Sequence, residues 1–123
     1  MDRVEKDEQR EYRITMEGIV DCYGPEEQAM GWYYYLEDRI SFPFKARCVD
    51  ERSISPLRKG EEVEVVSMAD EDDCECEMFV MTEWMGRSLG IPLAQLVVVD
   101  VDEGTEEAIG DWHYWMERGY QLC

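Results

Sequence analysis

The chain has 123 residues, 45% of them hydrophobic and 11% aromatic, enough apolar material for one domain with a core despite 34% charged residues. Thirty Asp and Glu against twelve Lys and Arg give a net charge of −18. That charge excludes free nucleic acid and anionic membrane as partners, because both are held mainly through Lys and Arg on phosphate. An acidic surface attracts cations or basic partners instead.

The first residues, MDRVEKDEQREYR, have no apolar run and no small-residue cleavage site, so no secretory signal is read there. No stretch approaches 18 apolar residues. The expected location is cytoplasmic, where Cys22, Cys48, Cys74, Cys76 and Cys123 are expected as thiols. Their odd number argues against a complete disulfide framework. Cys74-x-Cys76 lacks the second pair that structural zinc wants.

Residues 1–11 read as frayed or weakly helical. Tyr12 to Tyr23, loosely alternating through Ile14, Met16, Ile19 and Val20, read as an extended arm. Gly24-Pro25-Glu26-Glu27 opens a helix over 24–41. Proline at the first helical position loses only an amide that would be unpaired, and the glutamates suit the positive end of the dipole. Ala29, Tyr33, Leu36 and Ile40 then form a buried stripe, and Pro43 stops the helix. Residues 44–103 read as five short strands: 44–49, 61–68, one through Met78, Val80 and Trp84, 88–92 and 96–99. Between them lie a loop over 53–60, the acidic loop Asp70 to Asp73, a turn at Met85-Gly86-Arg87 and a single turn at Leu93-Ala94-Gln95. So many strands in so short a span predict a small closed barrel, which removes open edges. A last helix over 105–118 is expected, with Thr105 as N-cap, Ala108, Trp112 and Trp115 on one face, and Gly119 past its end. The expected fold is α+β, a single domain: a small SH3-like five-stranded β-barrel flanked by an N-terminal and a C-terminal amphipathic helix.

Catalysis finds no specific support, and the protein is not expected to be an enzyme. The lone histidine, His113, sits among Trp112, Tyr114 and Trp115, a packing context rather than a paired base. Phosphate-binding glycine loops are absent from the sequence. The run Trp32-Tyr33-Tyr34-Tyr35 spreads over different helix faces and reads as packing.

The acidic loops are the sharpest feature. Asp70-Glu71-Asp72-Asp73-Cys74-Glu75 begins like an EF-hand, then places Glu75 where the turn glycine belongs and Met81 where the bidentate glutamate belongs. Asp100-Val101-Asp102-Glu103-Gly104 fails similarly. Ca²⁺ still accepts oxygens from separate segments in flexible geometry. If strands 44–49 and 61–68 pair antiparallel, Glu37 and Asp38 approach Asp70 to Glu75. If the last strand pairs with the first, Asp100 and Asp102 reach the same pole. Clustered carboxylates without basic partners favour a cation among them.

Tyr23-Gly24-Pro25-Glu26-Glu27-Gln28-Ala29-Met30-Gly31-Trp32-Tyr33-Tyr34-Tyr35-Leu36-Glu37-Asp38, then Phe42-Pro43-Phe44, Ile91 to Leu96 and Ala108 to Trp115, resemble the small bacterial calcium-binding proteins first known from cyanobacteria. The resemblance spans about residues 20–122. It implies an acidic Ca²⁺-binding protein without an EF-hand or catalytic activity. The family is associated with intracellular calcium buffering, so a buffer or sensor is expected. The metal ligands expected from the topology are Asp38, Asp70, Asp72 and Asp73, with Glu37 and Glu75 as alternates and Asp100 and Asp102 completing that site or forming a weaker second one. Glu61, Glu62 and Glu64 are expected to lie along a strand whose acidic side faces water. The competing reading is an acidic protein–protein interaction module that uses a barrel groove or an aromatic helix.

Overall fold

A computed structural model describes residues 5–20, 22–52 and 55–122. Parts of the expected N-terminal arm and of the 53–60 loop, and Cys123, lie outside the described residues.

The N-terminal expectation is corrected. Residues Glu8–Arg13 form a helix, α1, the helical of the two readings, and Ile14–Gly18 form a π-helical turn in place of the expected extended arm. Asp7 caps α1 by accepting from the Arg10 amide at 3.1 Å. Helix α2 runs Pro25–Arg39, with Gly24 as N-cap and Ile40 already extended, so it ends before Pro43 can act on it. Ala29, Tyr33, Leu36 and Ile40 are buried as a stripe, joined by Trp32 and Tyr35, whereas Tyr34 is exposed.

Five strands follow: β1 Phe44–Cys48, β2 Glu62–Met68, β3 Phe79–Trp84, β4 Arg87–Pro92 and β5 Leu96–Val99. They form one antiparallel sheet in the order β4-β3-β2-β1-β5. The expected pairing of β5 with β1 is present, with Lys45 opposite Val99 and Cys48 opposite Leu96. The closed barrel is corrected: β4 and β5 occupy the two edges and the sheet is open. Its inner face is covered by helices, so burial does not require closure. Phe44, Ala46 and Cys48 of β1 point inward. In β2 the alternation carries Val63 and Val65 inward, and a bulge between Val65 and Ser67 resets it so that Met68 is buried too.

Helix α3 spans Glu103–Glu117. Its N-cap is Asp102 rather than Thr105. The Asp102 carboxylate accepts from the Thr105 amide at 3.2 Å and hydroxyl at 2.6 Å, and Thr105 is buried in the first turn. Trp32 of α2 meets Trp112 edge-on, with ring centres 5.1 Å apart, and Trp112 stacks on Trp115. These rings and the inward sheet residues form one core. Cys48 and Cys74 are free thiols, but Cys76 is disulfide-bonded, which corrects the all-thiol expectation. Among the described residues no helix is long and apolar enough to cross a membrane.

Candidate functional site

The chain leaving β2 is fastened to α2 by a tyrosine. Tyr33, buried, donates its hydroxyl to the Ala69 carbonyl at 2.7 Å, which fixes the start of the acidic segment against the helix. Tyr34, on the exposed side, donates to Glu71 Oε1 at 2.5 Å. Glu37 lies one helical turn beyond Tyr33. Burial pushes the Tyr33 hydroxyl pKa up to about 12, with the charges of Glu37, Glu71 and Asp70 adding to it. The Tyr34 hydroxyl is also raised, first by its bond to Glu71, then by burial, with Glu37 contributing. Glu37, Asp70 and Glu71 therefore act on one surface.

Residues Glu71–Cys74 form a 3₁₀ turn on which Glu71, Asp72 and Asp73 are exposed and only Cys74 is buried. The Cys74 sulfur accepts from the Phe79 amide at 3.4 Å, which draws it inward and leaves the carboxylates outside. Burial raises the Cys74 thiol pKa, with Asp73 and Asp70 adding to it against the Phe79 bond. Cys74 and Cys76 thus do not stand as a thiolate pair for zinc. Glu75 follows the turn, exposed, and Asp38 is exposed on the last turn of α2. The far end of the loop is anchored by Arg52, whose guanidinium donates to both oxygens of Glu77 at 2.8 Å.

Among the described residues, none of Glu37, Asp38, Asp70, Glu71, Asp72, Asp73 and Glu75 has a basic side chain within ion-pair distance. The nearby arginines are engaged elsewhere: Arg39 with Glu17, and Arg52 with Glu77.

Asp100 and Asp102 lie just past the end of β5, which pairs with β1. They line a groove of about 530 Å³ together with Glu62, Glu64, Lys45 and Ser41, and no carboxylate of the 70–75 segment lines it. Register explains the grouping, because Lys45 lies opposite Glu64 on one side and Val99 on the other. Glu62 and Glu64 are exposed, as expected, and line this groove. Asp102 does approach the end of α2: a Cβ on Gly104 would lie 3.2 Å from Asp102 Oδ2 and 3.5 Å from the Arg39 carbonyl. The Asp102 carboxyl is held below its ordinary pKa, chiefly by the Thr105 hydroxyl, and against its partial desolvation.

The acidic side chains fall into two groups, one on α2 and the 70–75 segment and one lining the groove. Among the described residues no group of three or more His, Cys, Asp or Glu side chains is close enough to hold a metal ion. Like charges without a counter-ion stay apart, and a cation would have to draw them in. The donor set is carboxylate oxygen, which suits a hard cation such as Ca²⁺. Sequence reasoning missed Glu71, whose signal was its place in the acidic run. It also did not place Glu62 and Glu64 beside Asp100 and Asp102, which strand register alone reveals.

The fold carries acidic surfaces whose donors are carboxylate oxygens, and the chain belongs to a family described as calcium binding, which it matches over residues 12–116. It is similar to the crystal structure of Anabaena CcbP, at 43% identity with a TM-score of 0.87. It is also similar to a calcium binding protein solved in the calcium-binding form, at 42% identity with a TM-score of 0.85. Each similarity covers 98% of this chain and 98% of the other. No curated protein matches it in sequence.

Proposed function

We propose that this protein is an intracellular calcium buffer or sensor that takes Ca²⁺ on the surface formed by α2 and the 70–75 segment. The observation that carries the reading is the set of seven carboxylates that have no basic partner among the described residues, on α2 and on the segment that the Tyr33–Ala69 bond holds beside it. Asp38, Asp70, Asp72 and Asp73 are the leading ligands, with Glu37, Glu71 and Glu75 supplementing them. Asp100 and Asp102, with Glu62 and Glu64, supply a weaker second site. The ligands are dispersed before binding, so the ion assembles its own cage by drawing the exposed 3₁₀ turn toward the end of α2. Catalysis is no part of this reading. The Nε2 of His113, the one histidine of the sequence, lies 2.6 Å from the Leu96 carbonyl, in keeping with a packing role.

The test is calorimetric titration of chelator-stripped protein with Ca²⁺ in moderate salt. Asp70→Asn and Asp72→Asn should each weaken the tighter phase by about tenfold or more, equivalent to about 1.4 kcal/mol. Glu8→Gln and Glu26→Gln, which remove the same charge elsewhere, should leave it nearly unchanged. Equal weakening by all four would mean a diffuse polyanion, and a featureless trace would favour the acidic interaction module.

A further inference from the structure

Helix α1 contributes no buried residue of its own, yet it is fastened by a fully buried carboxylate. Asp111 of α3 is 0% exposed. It accepts from Arg10 Nη1 at 2.7 Å, from Arg13 Nε and Nη2 at 2.8 and 2.7 Å, and from the Tyr35 hydroxyl at 2.6 Å. Tyr114 adds a second fastening: its hydroxyl accepts from the Asp7 amide and donates to Glu11. The Arg10 guanidinium lies flat on α3, so close that a Cβ at Gly110 would meet it at 2.9 Å. Buried ion pairs are a poor source of stability compared with apolar packing, so what this latch secures is position.

The segment it positions turns three large apolar side chains to solvent. Tyr12 is 68% exposed, Met16 50% and Val20 47%. Tyr12 and Met16, four residues apart across the junction of α1 and the π-helical turn, and Val20, just past that turn, form an exposed stripe, while Ile14 and Gly18 are buried. We propose that this stripe is a docking surface for a cationic amphipathic helix from a partner protein. Charge complementarity selects that occupant. The two arginines of the segment are consumed by Asp111, and exposed Glu8 and Glu17 border Tyr12 in a trough of about 390 Å³. Their pairings with Lys6 and Arg39 are surface contacts that a partner's lysines can replace at little loss. A second copy would bring −18 against −18, and anionic lipid is repelled likewise. Apolar anchors one turn apart, one of them an adaptable methionine, fit the groove between side chains of a docking helix.

The probe is a fluorescent Leu/Lys peptide patterned at helical spacing, titrated with the full chain in chelator at physiological salt and read by anisotropy. Working without Ca²⁺ keeps the outcome independent of the ion-binding proposal. Saturable binding is expected, weakened about tenfold or more in the triple variant Tyr12→Ser, Met16→Ser, Val20→Ser. Met85→Ser, at the exposed β3–β4 turn, should bind as the parent does. A control peptide with the same lysines but Ser in place of Leu should not bind. All three substitutions lie on solvent-exposed side chains, and circular dichroism checks that the fold is retained. Equal binding of both peptides, or undiminished binding by the triple variant, would reduce the interaction to bulk charge and overturn the proposal. Stripe-dependent dimerisation, or binding to anionic vesicles in place of the peptide, would overturn it equally.

Discussion

His113 illustrates how one side chain couples packing to pH. Burial lowers its pKa from 6.5, against the Leu96 carbonyl, which favours the protonated form. That carbonyl can only accept, so the neutral ring carries its proton on Nε2 and donates at 2.6 Å. Below about pH 6.5 the unfolded chain takes up a proton that the folded ring resists, so the unfolded state binds more protons. Stability is therefore undiminished above that pH and falls as pH drops toward the folded pKa, by at most about 1.4 kcal/mol per pH unit. Urea denaturation at about pH 7.5 and about pH 5.5 should show this loss, reduced in His113→Gln. An equal loss in the variant would assign the acid sensitivity to other groups.

At the scale of elements, α2 joins two halves of the molecule. Its inner face carries Trp32 and Leu36 into the core, Tyr33 reaches the acidic segment, and Tyr35 reaches the Asp111 latch. The N-terminal turn rests directly on this helix at Gly31, where a Cβ would lie 2.8 Å from the Gly18 carbonyl oxygen and 3.0 Å from the Cys22 sulfur. The first of these is backbone and cannot rotate away. Gly31→Ala gains about 1 kcal/mol of helix propensity but overpacks at about 1–3 kcal/mol. A net destabilisation of up to about 2 kcal/mol is expected, with faster amide exchange in residues 14–20. A more stable variant with unchanged exchange would show that the turn yields freely.

At the scale of the whole molecule, the −18 charge opposes compaction and any cation relieves it. Specific binding must be separated from that screening. If only the folded chain binds Ca²⁺, free ion at about 100 times Kd should add about 2.7 kcal/mol. Melting in Ca²⁺ should therefore exceed melting in Mg²⁺ at matched ionic strength, because Mg²⁺ dehydrates reluctantly and demands a near-octahedral cage that dispersed surface carboxylates supply poorly. Equal upward shifts would leave only screening.

Local rules written in the sequence determined most elements. Pro25 opened α2, Val63 and Val65 marked the inward face of β2, Leu93-Ala94-Gln95 formed the single turn, and Gly119 sits at φ +94 beyond α3. The acidic runs likewise pointed to a cation from composition alone. What required the tertiary structure was everything that depends on a distant partner. Residues 8–13 are helical where Arg10 and Arg13 find Asp111, about a hundred positions away, and no local signal encodes that meeting. The sheet stays open because helices cover its inner face, so the number of strands could not decide closure. Asp100 and Asp102 joined Glu62 and Glu64 because Lys45 pairs between β2 and β5, a choice of register that alternating patterns leave undetermined beyond which face is buried.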